Sequence, residues 1–360
     1  MPVTKKTSNE NLELSKQYQK KSDKQHVLDN PDTYIGSIEN VEQSSYIFNS
    51  TIESTTNNKN DNEEKNLIIE KQIKYIPGLY KLFDEAIVNC RDHQVRMEQK
   101  IINASLNEKK NLLQVSSIEV EISDDNIITL KNDGNGIDVA MHPEYNIWIP
   151  ELIFANLRTS TNYDKTEKKI VGGKNGFGFK LVLIWSTWGR IETVDHIRKK
   201  KYVQEYKDNL NVIDPPEITS CKSKPYTKIS FKPDLERMGL KTLDDDFKNL
   251  LKRRVYDIAA ITDKSVKVKY NNEQLCIKNL NFENYVNLYV GTKSDTPRIY
   301  EEANERWEYA VCLAPNEEFT QVSFVNGIYT SKGGKHVDYL LNQIIKKLTS
   351  YINKLWNISN

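Results

Sequence analysis

The most regular hydrophobic pattern in the chain lies between residues 79 and 97. Apolar residues recur there every three or four positions, which predicts an amphipathic helix, and Pro77-Gly78 just before it is a typical start signal. The same period predicts a helix from about Asp244 to Ala260 and a final one from His336 to about Trp356. The apolar face of the first helix consists of Leu79, Leu82, Phe83, Ala86, Ile87 and Cys90.

Strands are predicted where polar and apolar residues alternate or where β-branched residues cluster. Residues 117–123 and 127–131 form a predicted strand pair, which the turn Asp124-Asp125-Asn126 divides and which leads directly into Asn132-Asp133-Gly134. Further strands are predicted at 190–194, 201–206, 226–231, 265–270, 308–313 and 321–325. No internal repeat is visible.

A chain of 360 residues is longer than one core usually supports, so one large and one smaller domain are expected. Residues 1–25 are polar and lysine-rich, as is typical of a mobile tail, although such a tail can become ordered on a partner. We assign residues 26–275 to the larger domain and 276–360 to the smaller one. Residues 53–66 have almost no apolar content and predict a solvated loop.

Composition narrows the class of protein. Charged residues make up 28% and apolar residues 38% of the chain, which is typical of a folded protein. A net charge of +1 gives no overall attraction to nucleic acid, so any contact with DNA requires a local basic surface. The apolar runs are too short for a membrane span. The scattered cysteines, which match no metal or redox motif and predict reduced thiols in an intracellular protein, are Cys90, Cys221, Cys276 and Cys312.

The first candidate for chemistry lies on the polar face of the helix after Pro77. Glu85 and Asn89 are four residues apart and therefore project from the same side, together with Asp92 or His93. A carboxylate there can deprotonate an attacking water, and an amide oxygen one turn away can bind Mg²⁺. The alternative is that this pair is simply the wet face of an amphipathic helix.

Two glycine segments complete the set of candidates. Asp133-Gly134-Asn135-Gly136-Ile137 follows a strand, so its aspartate can accept a hydrogen bond from an adenine amino group, although Asp-Gly also occurs in ordinary turns. Residues 172–180, with four glycines leading into an apolar run, can offer backbone N–H groups to a phosphate, with Lys174 or Lys180 nearby. The alternative is a flexible loop. Neither the P-loop nor the dinucleotide fingerprint fits this segment.

The order of these three motifs resembles the ATPase superfamily that gyrase, the ninety-kilodalton heat-shock chaperones, histidine kinases and MutL share. Flanking segments make the chain similar, over nearly its whole length, to the eukaryotic type IIA DNA topoisomerases. These segments are Asp32-Thr33-Tyr34-Ile35-Gly36-Ser37, Pro150-Glu151-Leu152-Ile153-Phe154, Thr159-Ser160-Thr161-Asn162-Tyr163-Asp164, Val322-Ser323-Phe324-Val325-Asn326 and Thr330-Ser331-Lys332-Gly333-Gly334.

The resemblance implies an α+β protein: a two-layer α/β sandwich that binds ATP with Mg²⁺, followed by a partial transducer domain of the ribosomal-protein-like type. Glu85 would then be the general base, Asn89 the magnesium ligand and Asp133 the adenine-reading residue. Tyr34 would help to cross to the partner's site, and Thr227 would lie near the adenine pocket. Further nucleotide contacts are implied for Gly136, Ser160, Thr161, Asn162, Gly173, Lys174, Asn175, Gly176, Phe177, Gly178 and Lys180, the last seven within a lid over the phosphates.

The chain also departs from the family. His93 stands where Asn is common, and Phe177 and Phe179 replace the usual Tyr and Ala of the lid, which predicts altered affinity. In the family a transducer lysine within Gln-Thr-Lys reaches the γ-phosphate, and this triplet does not occur here. We therefore expect slower turnover with nucleotide binding largely retained.

The resemblance implies an ATPase module that dimerises on ATP binding and operates a gate for double-stranded DNA, in the nucleus or, for a viral protein, in a viral factory or host cytoplasm. DNA cleavage would need a region in the same or a separate chain. Lys346, Lys347 and Lys354 could face DNA or simply solvent. The alternatives are a nucleotide-binding clamp with little turnover and a chaperone-like ATPase.

Overall fold

The computed structural model describes residues 21–51, 67–156, 178–275, 280–314 and 318–359. The helices are Asp23–Asp29 (α1), Pro31–Tyr34 (α2), Pro77–Asn103 (α3), Leu106–Lys109 (α4), Ile149–Ala155 (α5), Gly178–Ile184 (α6), Asp245–Ala260 (α7), Phe282–Val290 (α8) and Lys335–Ser359 (α9). The strands up to residue 133 are Val41–Phe48 (β1), Ile68–Tyr75 (β2), Ser117–Ile122 (β3) and Ile128–Asp133 (β4). Those that follow are Ser186–Asp195 (β5), Lys200–Lys207 (β6), Val212–Ile213 (β7), Glu217–Ser220 (β8), Tyr226–Pro233 (β9), Lys267–Tyr270 (β10), Glu273–Gln274 (β11), Arg298–Asn304 (β12), Trp307–Cys312 (β13), Phe324–Val325 (β14) and Ile328–Tyr329 (β15).

A nine-stranded sheet forms one layer of the larger domain. Its order is β11-β10-β3-β4-β9-β5-β6-β7, and β8 also pairs with β6. All neighbours are antiparallel except β10 and β3, which run parallel. Burial alternates residue by residue along β4, so one face of the sheet packs on a core and the other meets solvent.

Helices cover the buried face as the second layer. α3 and α6 pack against each other and against strands β4, β5 and β9, while α7 contacts α3 and strand β10. Phe83, Leu183 and Trp185 are among the fully enclosed side chains of this core. Each such side chain contributes about 1.5–3 kcal/mol relative to exposure. The two layers therefore fix α3, which carries the candidate base, against the centre of the sheet.

The solvent face of the sheet carries ion pairs between side chains of neighbouring strands. Glu119 on β3 accepts from Lys131 on β4 at 3.1 Å and from Lys269 on β10 at 3.2 Å. Towards the other edge, Glu192 on β5 pairs with Lys201 on β6 at 3.1 Å. We call this row of cross-strand ion pairs the charge ladder.

The hairpin β1–β2 packs on α7, and the smaller domain joins at the same place. α8 contacts α7 and β2, and β12 pairs with β13 in a separate two-stranded sheet. The short hairpin β14–β15 turns at Asn326-Gly327. No helix among the described residues is long and apolar enough to cross a membrane.

The strongest periodic patterns are confirmed. α3, α7 and α9 lie where helices are predicted, and the turn between β3 and β4 uses Asn126 in a left-handed conformation, φ 61°. Cys90, Cys221 and Cys312 are free thiols, as predicted, and Cys276 lies outside the described residues. The fold is the predicted α+β sandwich followed by elements of a transducer-type domain.

Other expectations need correction. α1 begins at Asp23, where the Ser22 hydroxyl caps the Gln25 N–H, so the tail predicted to residue 25 includes the first turn of a helix. The predicted strand 321–325 is reduced to Phe324–Val325, because Gln321 donates instead to the Thr330 and Ser331 carbonyl oxygens. The elements that the hydrophobic pattern does not predict include β1, β2, β12 and α8.

Candidate functional site

Glu85 lies on the polar side of α3 with its side chain only 25% exposed. Its Oε1 accepts from Lys81 Nζ at 2.5 Å, one helical turn earlier. Burial alone would lower the pKa of Lys81, but attraction and hydrogen bonding to Glu85 outweigh it and raise that pKa. Lys81 therefore stays charged and orients the carboxylate. Lys81 is not among the residues predicted from the sequence, although its spacing of four residues from Glu85 is typical of an ion pair on a helix.

Asn89 occupies the next turn of α3. Its Nδ2 donates to the Glu85 carbonyl oxygen at 2.7 Å, which fixes the orientation of the amide. The side chain therefore presents Oδ1 on its other side. An amide oxygen is the kind of ligand that Mg²⁺ takes in proteins, so Asn89 fits the predicted role chemically.

His93 continues the same stripe of α3 and reaches the second motif. Burial lowers the pKa of His93 to about 4, and a hydrogen bond with the Asn135 backbone opposes this shift only in part. Its Nε2 is buried and has no hydrogen-bond partner among the described residues. The helix motif and the Asp133-Gly136 segment are thus in direct contact.

Asp133 ends strand β4 and is already engaged within the protein. Its Oδ1 accepts from the N–H groups of Ser116 and Ser117 at 2.6 and 2.8 Å, and Oδ2 accepts from the Ser116 hydroxyl. The predicted acceptor for adenine therefore also holds the start of β3. Carboxylate oxygens have spare lone pairs, so both roles are compatible.

The two glycines of the second motif serve different purposes. Gly134 has φ +87°, which favours glycine, and a Cβ there would lie 2.8 Å from Val115 Cγ2. A Cβ on Gly136 would lie 2.7 Å from the Val194 carbonyl carbon and 2.9 Å from Thr193 Oγ1. Gly136 thus allows this loop to pack directly on β5.

Thr227 lies on β9 beside this loop and is 9% exposed. Its hydroxyl lies 3.0 Å from the hydroxyl of Thr193 on β5. The Thr193 hydroxyl also accepts a hydrogen bond from the Ile137 N–H at 2.9 Å. The threonine pair therefore joins two central strands to the second motif. Thr193 was not singled out from the sequence.

The described end of the third motif meets Glu85. A Cβ on Gly178, the first residue of α6, would lie 3.2 Å from Glu85 Cδ and closer still to Oε2. Lys180 is only 3% exposed, and burial lowers its pKa to about 8. Ser160, Thr161, Asn162, Gly173, Lys174, Asn175, Gly176 and Phe177 lie outside the described residues.

Tyr34 closes α2 near the N-terminus of the described chain. Its hydroxyl is 3.0 Å from His26 Nδ1, and the two rings meet edge to face. Its neighbour helix α1 packs on α6. The role of Tyr34 at a partner's site stays a prediction, as do the nucleotide roles of the other site residues.

These contacts bring three distant motifs together on one face of a helix-backed sheet, and comparison with known proteins defines the class. Residues 75–237 match the family of histidine kinase-, DNA gyrase B- and HSP90-like ATPases, and residues 281–359 match the DNA gyrase B family. The fold is that of this ATPase class, followed by a gyrase B-type second domain.

Solved structures of type II topoisomerases match nearly the whole chain. The structure superposes on the ATPase region of Saccharomyces cerevisiae topoisomerase II with a TM-score of 0.80 at 41% identity, covering 95% of this chain and 82% of that one. The ATPase and transducer domains of Balamuthia mandrillaris DNA topoisomerase II give 0.80 at 36% identity, covering 94% and 79%. The chain belongs to the family of topoisomerase II ATPase regions.

Full-length relatives are much longer than this chain. DNA topoisomerase 2 of Saccharomyces cerevisiae is 41% identical over 96% of this chain but only 23% of its own length. The enzyme of Acanthamoeba polyphaga mimivirus is also 41% identical, over 99% and 26%. The chain thus spans about a quarter of the length of these relatives.

Proposed function

We propose that this chain binds ATP with Mg²⁺ and hydrolyses it, with Glu85 as the general base. The observation that carries this proposal is the convergence on α3. Glu85 adjoins the first residue of α6, and His93 contacts the backbone of the Asp133-Gly136 segment. These contacts support a carboxylate that acts between a phosphate-binding segment and a nucleoside-binding loop.

Glu85 is well placed to act on water. Its carboxylate is partly shielded, and Lys81 holds it in one orientation at 2.5 Å. A base in a fixed position removes a proton from an attacking water more effectively than a mobile one. The same ion pair limits how far the carboxylate can move.

Asn89 is the residue that would hold Mg²⁺ through Oδ1. In the described ranges no group of three or more His, Cys, Asp or Glu side chains could hold a metal. An ion held mainly by the triphosphate, water and one amide fits this donor set. Bound there, Mg²⁺ would neutralise charge on the phosphate oxygens.

α6 would bind the phosphate end of the nucleotide. Its described part begins at Gly178, where a Cβ would lie 3.2 Å from Glu85 Cδ. Backbone N–H groups at a helix start favour an anion, and a phosphate near Lys180 would favour the charged form of this buried amine. The resemblance implies that Gly172, Gly173 and Gly176, which lie outside the described residues, would extend this site.

The relatives support a larger role for the module. They are DNA topoisomerases, so we propose that ATP binding brings two copies together as a gate for double-stranded DNA and that cleavage resides in another region. Nucleotide can close such a gate only if it binds the closed state more tightly. The nucleus, or a viral factory, is the matching location.

Steady-state hydrolysis at saturating MgATP tests the proposal. Glu85→Gln should lower kcat by about 10²–10⁴-fold because general-base catalysis is lost. Glu98→Gln, on the same helix next to Gln94, is the matched control and should leave kcat unchanged. Calorimetry should show similar ATP binding for all three proteins.

The results separate the two readings of the chain. Equal hydrolysis rates for the parent and Glu85→Gln, with ATP still bound, would refute Glu85 as the general base and favour a nucleotide-binding clamp. No binding of ATP with or without Mg²⁺ by a folded sample would refute the proposal altogether.

A further inference from the structure

Helix α7 contains two consecutive arginines that are almost completely enclosed. Arg253 is 1% and Arg254 0% exposed. Burial of a guanidinium is costly unless charges and hydrogen bonds compensate it, so the partners of these residues define what the cluster does. None of them belongs to the nucleotide site described above.

Arg254 connects the two domains through its planar fork. Its Nε donates to Asp84 Oδ1 on α3 at 2.7 Å, and its Nη2 donates to the Gly327 carbonyl oxygen in the β14–β15 turn at 2.7 Å. Asp84 directly precedes Glu85 and is only 7% exposed. One side chain therefore bonds both the helix of the candidate base and the hairpin of the second domain.

The turn of this hairpin is pressed against the same helix. Asn326 and Gly327 have φ values of 50° and 86°, the left-handed pair typical of a two-residue hairpin loop. A Cβ on Gly327 would lie 2.9 Å from Arg91 Cδ and 3.0 Å from Arg91 Nη1. Arg91 is seven residues after Asp84, so both lie on one side of α3, facing the second domain.

The rest of the cluster holds the arginines in place. Asp257 Oδ2 pairs with Arg253 at 3.1 Å and with Arg254 at 3.7 Å, and Asp257 Oδ1 accepts from the Tyr285 hydroxyl on α8 at 2.6 Å. The Arg253 guanidinium lies 4.3 Å from the centre of the Tyr329 ring. Both arginines are thus fixed by residues of the second domain as well as by α7.

We propose that Arg254 is a positioning residue for hydrolysis, which links the position of the Asn326-Gly327 turn to that of Glu85. The inference rests on the proposed ATPase function. Because Asp84 and Glu85 are consecutive in one helix, displacement of the turn changes the placement of the carboxylate. The second domain would in this way control turnover without touching the nucleotide.

Arg254→Lys is the first test, in the full chain. Lysine keeps the charge but cannot form two bonds in fixed directions, so the link to the turn or to Asp84 is lost. We expect kcat to fall by about ten- to a hundredfold, since misplacement of a reacting group by about 1 Å has effects of this size. The dissociation constant for ATP, measured by calorimetry, should change less than about threefold.

Gly327→Ala tests the link from the other end. The added methyl group meets Arg91 and also strains the turn, because the φ of 86° at this position favours glycine. The turn should therefore shift relative to α3, and kcat should fall as for Arg254→Lys. If both changes act through one hydrogen bond, the double variant should be no slower than the slower single variant. Hydrogen exchange should show faster exchange in residues 81–89 for both.

Two further variants keep the outcome decisive. Arg237→Lys changes an arginine that pairs with Asp234 at 3.1 Å, outside the Arg254 cluster, and should leave kcat unchanged. If Arg254→Lys does not fold, Asp84→Asn retains an acceptor for Arg254 and should lower kcat several-fold with ATP binding retained. The kcat of Asp84→Asn then decides whether the positioning role holds.

Unchanged kcat in the folded Arg254 or Asp84 variant would overturn the proposal. So would independent, multiplicative effects in the double variant, or a loss of kcat that only follows the loss of folded protein. If Glu85→Gln also hydrolyses ATP like the parent, the proposed function itself fails. Loss of kcat in Glu85→Gln but not in Arg254→Lys refutes only the positioning role.

Discussion

Gly178→Ala should slow hydrolysis while leaving the protein folded. The new Cβ would lie 3.2 Å from Glu85 Cδ and closer still to Oε2. A normal contact requires about 3.5–4 Å between carbon atoms, so Cδ must retreat by about 0.3–0.8 Å, and the nearer Oε2 must move further, by about 1 Å. The carboxylate at the end of the Glu85 side chain can move easily, so the protein should stay folded. This carboxylate is also the proposed base, so its movement should slow hydrolysis.

Gly178→Ala should change the unfolding free energy only slightly but should lower kcat strongly. Alanine in place of glycine favours a helix by up to about 1 kcal/mol. Disturbing the partly exposed Lys81–Glu85 pair costs about 0.5 kcal/mol, so the unfolding free energy should change by less than about 1 kcal/mol. Displacement of the base by about 1 Å should lower kcat about 10²-fold, or about 2.7 kcal/mol in the barrier.

A coupled ATPase assay, thermal unfolding and ATP calorimetry measure these quantities. In a Glu85→Asp background the shorter side chain makes room for the methyl group, so adding Gly178→Ala should have little further effect on kcat. An undiminished kcat in folded Gly178→Ala would refute the reasoning. So would an equal loss of kcat in both backgrounds.

Three further outcomes are expected. In the absence of nucleotide, Asp133→Ala should lower the unfolding free energy by about 1–3 kcal/mol, because the N–H groups of Ser116 and Ser117 lose their acceptor. Thermal unfolding measures this, with Asp133→Asn, which keeps an acceptor oxygen, as the control. Asn89→Ala should raise the Mg²⁺ concentration for half-maximal hydrolysis at least about tenfold, and an unchanged titration would exclude the ligand role. Because the pKa of His93 falls from 6.5 to about 4, the unfolded state takes up the proton first. Stability is full above about pH 6.5 and should be lost as pH falls towards 4, by about 2–3 kcal/mol at pH 4.5, and urea unfolding should show a smaller loss in His93→Gln.

Periodic segments could be predicted from the sequence because their burial depends on local spacing. The apolar stripe from Leu79 to Cys90 fixed which side of α3 enters the core, and this also placed Glu85 and Asn89 together on the other side. The polar strands β1 and β2 lacked such a stripe. Much of their surface meets solvent, so charged residues occupy positions that alternation would assign to apolar ones.

The tertiary partners of the site residues could not be predicted in the same way. The sequence indicates that Asp133 is an acceptor, but not that Ser116 and Ser117 already use it. Arg254 forms hydrogen bonds to Asp84, which is 170 residues away along the chain, and to Gly327, which is 73 residues away. No local pattern contains such information, because it arises only when the two domains pack together.

The charge ladder has a consequence for where DNA can lie. Proteins bind DNA largely by displacing cations condensed on its phosphates, and each displaced cation requires a protein charge that is free to replace it. Lys131, Lys269 and Lys201 already share their charge with carboxylates on neighbouring strands. A duplex laid on this side of the sheet would have to break those pairs for little release of counterions. For the DNA of the proposed gate, these three lysines would therefore contribute little to binding.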